Sequence, residues 1–249
     1  MPEVSVVMPA YNSAATIMQS IQSVQAQSFA DWELIVVDDG SKDGTAGLVK
    51  ALRAHDPRIV FLPSGSNQGA WHARNTAIEA ARGRYVAFLD SDDLWLPHKL
   101  DVQLAHMREH CCALGYSAYS MFYDDGREVV VDVPAQVGYR RLLKGSVIGC
   151  LTAIYDTRQL GKRYMPGLRK HEDYALWLGI LREGHAARGV GQVLAKYRAI
   201  GGMSGNKLGV LSYQWDIYRR HQGLSLFSSA YYFSHYAVRG VFKHRTRRG

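Results

Sequence analysis

The chain reads as an α/β protein with a mostly parallel central sheet, helices on both faces, and a helical extension at the C-terminus. Three observations predict this. Short apolar runs recur through the first ninety residues, apolar side chains between them fall at helical spacing, and each run closes on polar or acidic turn residues. The length of 249 residues and the hydrophobic content of 47% suffice for one sizeable core.

The elements follow in order. Val4 to Met8 is a short strand ended by Pro9, and Ala14, Ile17, Ile21 and Val24 then recur with helical period. Glu33 to Val37 is the second strand, closed by Asp38-Asp39-Gly40-Ser41, whose residue types suit a turn and a helix cap. A helix carrying Leu48, Val49 and Leu52 precedes a strand from Arg58 to Leu62. Asn67-Gln68-Gly69 leads into a helix with Ala70, Ala73, Ala77 and Ala81 on one side, small enough to lie close on a sheet, and Gly83 is expected to stop it. Tyr85 to Leu89 is a further strand running into Asp90-Ser91-Asp92-Asp93. A helix is expected from about Pro97 to His110, strands to about Val133 around Asp124-Asp125-Gly126, and a firm helix over Tyr174 to Arg182.

Charge and cysteine content narrow the setting. The net charge is +8, and no acidic residue follows Asp216 while Arg219, Arg220, Arg239, Lys243, Arg245, Arg247 and Arg248 do. Acidic partners are therefore expected, with the excess concentrated at the C-terminus. Cys111, Cys112 and Cys150 form no CxxC pair and no zinc-like spacing, so reduced thiols and a cytoplasmic setting are the simplest expectation. The sequence begins directly in a strand pattern rather than a signal peptide, and no run of 18 apolar residues appears. A soluble or peripheral protein is expected.

The acidic and polar groups at the strand ends carry the chemistry. Asp90 and Asp92, at i and i+2 beyond a strand, can face one hard cation such as Mg²⁺ or Mn²⁺ in the crevice where open α/β sheets bind ligands. By spacing alone the triplet suits a solvated turn capping the next helix equally well. Asp39 can accept a nucleobase N–H or a ribose hydroxyl, or simply shape an Asp-Gly turn with Ser41 or Asp43 as cap. Asn67 and Arg74 belong to the same sheet edge, and Arg74 is a fork-shaped donor for base or phosphate if it is not a plain surface charge. Glu172-Asp173 opens a helix, where the dipole favours acids regardless of function; a catalytic role needs one carboxylate aimed at an acceptor hydroxyl.

Taken in order, Ser5-Val-Val-Met-Pro-Ala-Tyr-Asn12, Trp32-Glu-Leu-Ile-Val-Val-Asp-Asp-Gly-Ser41, Asn67-Gln-Gly, Ala73-Arg-Asn75, Gly83-Arg-Tyr-Val-Ala-Phe-Leu-Asp-Ser-Asp-Asp93 and Glu172-Asp173 resemble the inverting glycosyltransferases of family 2, which have the GT-A fold. The likeness spans about residues 3 to 205 and leans toward bacterial enzymes of capsule, teichuronic acid or O-antigen assembly, with Leu94-Trp-Leu-Pro97 and Ile148-Gly-Cys-Leu-Thr152 contributing. It implies a catalytic domain over 1–205, with a nucleotide-sugar half to about 95 and an acceptor half from about 96, and a basic helical extension over 206–249. It implies that Pro9, Tyr11, Asp39, Asn67 and Arg74 line the nucleobase site. Asp90, with Ser91 between the two acids, reaches the ribose or metal. Asp92 holds the Mn²⁺ or Mg²⁺ that bridges the donor's diphosphate. Asp173 is implied as the base with Glu172 beside it, and Arg198 and Lys207 as diphosphate contacts flanking a lid at Gly201-Gly202-Met203-Ser204-Gly205.

The implied reaction is metal-dependent, inverting transfer from a nucleotide diphosphate sugar, by default a UDP-sugar, to a glycan or lipid-linked glycan of the cell surface. A catalytically inactive nucleotide-sugar-binding scaffold would lack Asp92 or Asp173, and both are present. A nucleotidyltransferase would need a glycine-rich basic loop where Pro9-Ala-Tyr-Asn12 stands. Phe227, Tyr231, Val238 and Phe242 near helical spacing, followed by basic residues, fit either an anionic membrane surface or a helix packed on the catalytic domain. Nucleic acid is not expected, because no recognition module accompanies the charge.

Overall fold

The computed structural model describes residues 1–168, 170–199 and 207–245, for 207–210 and 238–245 the backbone alone. The first half alternates strand and helix: β1 (Val4–Ala10), α1 (Ile17–Gln25), β2 (Trp32–Asp38), α2 (Thr45–His55), β3 (Ile59–Pro63), α3 (Ala70–Ala80) and β4 (Tyr85–Phe88). Every residue of β1, β2 and β4 is buried, as parallel strands covered on both faces must be. Val7, Ile35 and Phe88 point to the face covered by α3, while Val6, Met8 and Val36 point to the face covered by α1. Ile17, Ile21 and Val24 make the buried stripe of α1, and Ala73, Ala77 and Ile78 that of α3.

The second half continues through β5 (Leu94–Trp95), α4 (Lys99–Glu109), β6 (Leu114–Phe122), β7 (Glu128–Val131), β8 (Gln136–Val137), α5 (Tyr139–Leu142), β9 (Ile154–Asp156), α6 (Thr157–Leu160), α7 (Glu172–Arg182) and β10 (Ala187–Arg198). One sheet runs through both halves in the order β3-β2-β1-β4-β9-β6-β10-β5, with β7 on β6 and β8 on β10. It is parallel from β3 to β4 and again between β6 and β10. The short β9 lies antiparallel between those blocks, pairing β4 on one side and β6 on the other, so the sheet is more mixed than the sequence alternation implies.

Gly83 does a different job from the expected helix stop. The helix α3 ends at Ala80 with Ala81 as its extended cap, and Gly83 lies two residues beyond. A Cβ on Gly83 would stand 2.6 Å from the Ser5 backbone nitrogen. The approach is fixed by Ser5 Oγ, which accepts the Gly83 N–H at 2.8 Å and donates to Glu33 at 2.6 Å. Arg82 closes the knot by donating to the same buried carboxylate at 2.6 Å.

The C-terminal extension comprises α8 (Lys207–Asp216), a π-helical turn Ile217–His221 and α9 (Leu226–Arg245). Trp215 meets Phe233 edge-on at 5.5 Å, and Arg182 of α7 donates to the Gln222 carbonyl at 3.0 Å. The extension is therefore seated on the sheet-bearing part of the chain through Tyr232 and Phe233. Leu226, Phe227 and Tyr231 face outward. No helix among the described residues is long and apolar enough to cross a membrane.

Candidate active site

Two clefts open at the C-terminal edge of the parallel strands and meet at Arg74 and Asp90. The first, of about 500 Å³, is bounded by the ends of β1, β2 and β4 and the start of α3. Pro9, Tyr11, Asp39, Asn67, Arg74, Asp90, Ser91, Asp92 and Arg198 all line it, so the structure gathers nine of the sequence-nominated residues around one space. Tyr11 is half exposed there, offering a ring face to a planar guest.

The loops around this cleft are laced together. Asn12 takes a left-handed conformation at φ 49, its N–H donating to Ser41 Oγ at 2.9 Å and its side-chain oxygen accepting the Lys42 N–H at 2.9 Å. Asp43 accepts from Ala14 and Thr45 rather than acting as the helix cap, which is Gly44. Ser13 and Ser91 share a hydrogen bond of 2.7 Å, and Thr16 donates to the Ser91 carbonyl at 2.8 Å. Asp39 is buried and accepts the backbone N–H groups of Gln68 and Gly69 at 2.9 and 2.8 Å. It thus fixes the approach to α3 from the wall of the cleft. Gly40, at φ +76, lets that turn pass the Ser66 backbone, which a Cβ would meet at 2.9 Å.

Arg74, on the wall of this cleft, is engaged by two carboxylates. Its Nη2 donates to Asp90 at 2.5 Å and its Nη1 to Glu172 at 2.7 Å, tying the end of β4 to the start of α7. Burial works against its charge, but the carboxylates of Asp90 and Glu172 outweigh that and hold the guanidinium firmly cationic. Only Nε is without a partner. Arg198 lies over the Phe122 ring at 4.6 Å and donates to the Asp92 carbonyl and to Gln19. Lys207 begins α8, and its side chain lies outside the described residues, as do Gly201 to Gly205.

The acids at the end of β4 are crowded and partly buried, which favours their protonated forms. Burial, then the neighbouring Asp90, raises the proton affinity of Asp92, and the same causes push Asp93 up to about 9. Asp93 was given no role from sequence; it is buried and accepts the Arg198 N–H at 2.9 Å. A divalent cation would fit Asp92 and the oxygen of Asp90 that Arg74 leaves free, because hard carboxylate oxygens are its preferred donors. Among the described residues the one three-residue cluster with ligand atoms mutually within reach is His106, Glu109 and His110 at the C-terminal end of α4, outside both clefts.

The second cleft, of about 460 Å³, is walled by the start of α7, the 3-10 turn Cys150–Thr152 and the facing strands β6 and β10. Asp173 lines it, and burial pushes its carboxyl up to about 6, with Arg74 pulling the other way and Glu172 adding to the rise. Tyr119 and Tyr197 supply aromatic walls. Sequence reasoning missed both, because Tyr197 is brought beside Met121 only by the β6–β10 pairing. The turn at 150–152 is gripped from behind. Trp95 donates to the Leu151 carbonyl and Gln103 to the Thr152 carbonyl, both at 2.9 Å, with buried Lys99 bonded to Gln103.

A nucleotide-sized cleft at the switch edge of an α/β sheet, opening onto a second cleft with a half-buried carboxylate, defines a GT-A glycosyltransferase. The fold is shared by Staphylococcus aureus TarS, solved in complex with UDP-GlcNAc, at a TM-score of 0.71 and 23% identity over 95% of this chain and 72% of that one. The Glycosyl transferase family 2 profile matches residues 5–151, and the chain belongs to that family. A Bacillus subtilis (strain 168) protein named as the teichuronic acid biosynthesis glycosyltransferase TuaG is 40% identical over 97% of both chains. The Escherichia coli UDP-Glc:α-D-GlcNAc-diphosphoundecaprenol β-1,3-glucosyltransferase WfgD is 39% identical over 97% of this chain and 94% of its own.

Proposed function

We propose that this glycosyltransferase moves a sugar from a UDP-sugar to a lipid-linked precursor of a surface polysaccharide, with inversion at the anomeric carbon and with the help of a divalent cation. The observation that carries the reading is Asp173. Its carboxylate stands in the second cleft, beside Arg74 and Glu172, at the junction with the nucleotide-sized cleft. With its proton affinity raised to about 6, it is a better base than a free aspartate near 3.9 and remains ionised at neutral pH.

The donor's uridine is received against Tyr11 and Asp39, and its diphosphate lies toward Asp90, Ser91 and Asp92. Asp92 and Asp90 would hold a divalent cation, which would supply positive charge against the charge developing on the leaving diphosphate. Asp173 accepts the acceptor hydroxyl's proton as that oxygen attacks the anomeric carbon from the face opposite the diphosphate. Arg74 keeps Asp90 and Glu172 in place, so the two acids that flank Asp173 stay fixed as the sugar passes. A lipid-linked acceptor accords with WfgD and with the outward aromatic and basic surface of the extension, through which we propose peripheral attachment to an anionic membrane.

The test is calorimetric titration of the purified protein with UDP, GDP and dTDP, each with and without Mn²⁺. The expected outcome is UDP binding that strengthens with Mn²⁺ and exceeds that of the other two. Absence of binding by all three overturns the proposal.

A further inference from the structure

The last turn of α4 gathers His106, Glu109 and His110, one ligand atom of each lying within 4.8 Å of the others. None of the three lines either cleft. We propose that this turn is a zinc-class metal site, separate from the aspartates at the end of β4. His106 and His110 are its nitrogen ligands and Glu109 its oxygen ligand.

Placement follows from the helix period. Residues three and four apart share one helix face, so His106 stands beside both Glu109 and His110. The two imidazoles accordingly lie 4.2 Å apart between centroids, inclined at 41°. The turn that carries them is held by its own cap. Cys111, left-handed at φ 48, donates its N–H to the Arg108 carbonyl, and Cys112 donates to the Met107 carbonyl, the pair of bonds that closes a helix. Met107 and Cys112 are buried, so the three side chains project from anchored backbone and not from a fraying end.

The state of the two rings is the second argument. His110 Nδ1 donates to the His106 carbonyl at 3.0 Å, which puts the proton on Nδ1 and leaves the Nε2 lone pair free. A bond of this kind is what orients a metal-bound imidazole. His106 Nε2 is buried with no hydrogen-bond partner among the described residues, an unfavourable state unless something else engages it. Zinc stands about 2.0–2.1 Å from a nitrogen, so it fits where a water molecule at about 2.9 Å does not. Ligands at that range are at most about 4.4 Å apart, and small rotamer changes bring the set into contact.

The donors select the ion. Two imidazoles with one carboxylate suit zinc, whereas the all-oxygen aspartates suit Mg²⁺ or Mn²⁺. The negative end of the α4 dipole and the Glu109 charge favour a cation, against Arg188 of β10, whose charge is felt at His106. Arg108 of the same turn is committed to Glu3. Glu109 and His110 are exposed, so water completes the shell.

The experiment is calorimetric titration of the full chain with Zn²⁺ in excess Mg²⁺, which takes oxygen ligands and leaves imidazole alone. The expected result is one zinc per chain, with affinity reduced at least about tenfold by His110→Ala or His106→Gln and about threefold by Glu109→Gln. Cys111→Ser and Asp92→Asn should keep zinc affinity within about twofold of wild type, and both His variants should bind UDP with Mn²⁺ as the wild type does. His110 is exposed, so its variant decides the matter even where His106→Gln fails to fold. Absence of zinc binding in the wild type overturns the proposal, as does unchanged affinity in His110→Ala. Loss of the bound zinc in Cys111→Ser assigns it to the thiol, and loss in Asp92→Asn assigns it to the aspartates; either result also overturns the proposal.

Discussion

At the scale of single residues, the site is governed by how the protein spaces its carboxylates. Asp90 and Glu172 share the two terminal nitrogens of Arg74, while Asp173 is half-buried with Arg74 only as a neighbour. Burial raises its pKa to about 6, so activity on the acid side should fall through pH 6 rather than pH 4. The same shift costs stability at neutral pH. The folded state binds this proton more tightly than the unfolded chain does, so the stabilisation is full below about pH 4 and is lost as pH rises through 6. Asp173→Asn should therefore reduce kcat by about 10² to 10⁴ while leaving UDP affinity unchanged. It should also raise stability at pH 8 by on the order of 2 kcal/mol and by little at pH 4. Kinetics with parallel thermal melts at the two pH values check both, and full activity in the variant removes Asp173 from its role.

At the scale of elements, what was legible from sequence was whatever local pattern records. The strands β1 to β4, the stripes on α1 and α3, and the acids at the strand ends and at the start of α7 carry their periodicity and turn chemistry in consecutive residues. The antiparallel insertion of β9 between β4 and β6 is a pairing across many residues and leaves no such trace. For that reason Tyr119 and Tyr197 in the second cleft, and the grip of Trp95 and Gln103 on the Cys150–Thr152 turn, were invisible beforehand. Arg74 was placed on the right edge from sequence, but its two carboxylate partners, one of them 98 residues away, emerge only in the fold. Gly83 illustrates the opposite error, a glycine read as local punctuation that serves a tertiary approach. Gly83→Ala drives a methyl into the β1 backbone near Ser5 and Val4, where no side-chain rotamer can give way. Overpacking of this kind costs about 1–3 kcal/mol, and backbone as the obstacle puts this case at the upper end. Denaturant unfolding checks it, and a loss below about 0.5 kcal/mol would mean that the α3–β4 connection can shift.

At the scale of the whole molecule, the charge and the exposed aromatics lie together. The extension presents Leu226 at 59%, Phe227 at 88% and Tyr231 at 52% exposure, although Tyr232 and Phe233 of the same helix are packed inward. Lys144 sits 5.5 Å from the Tyr231 ring centroid, and Arg219 and Arg220 are exposed just before the helix. Packing on the sheet domain thus leaves room for the proposed membrane contact, because different residues of one helix are packed inward and exposed. An apolar tip rimmed by cations suits an anionic bilayer, each basic group near the surface adding about 1 kcal/mol and each buried aromatic about 1.5–3 kcal/mol. The full chain should cosediment with vesicles containing phosphatidylglycerol and much less with pure phosphatidylcholine, and added salt should weaken the binding. Phe227→Ser with Tyr231→Ser should reduce cosedimentation at least about tenfold while leaving UDP binding as in the wild type. Transfer to a lipid-linked acceptor in vesicles should fall by a similar factor, and transfer to a short water-soluble analogue should not. Equal cosedimentation of variant and wild type would free this helix from the membrane role and leave lipid access to the second cleft alone.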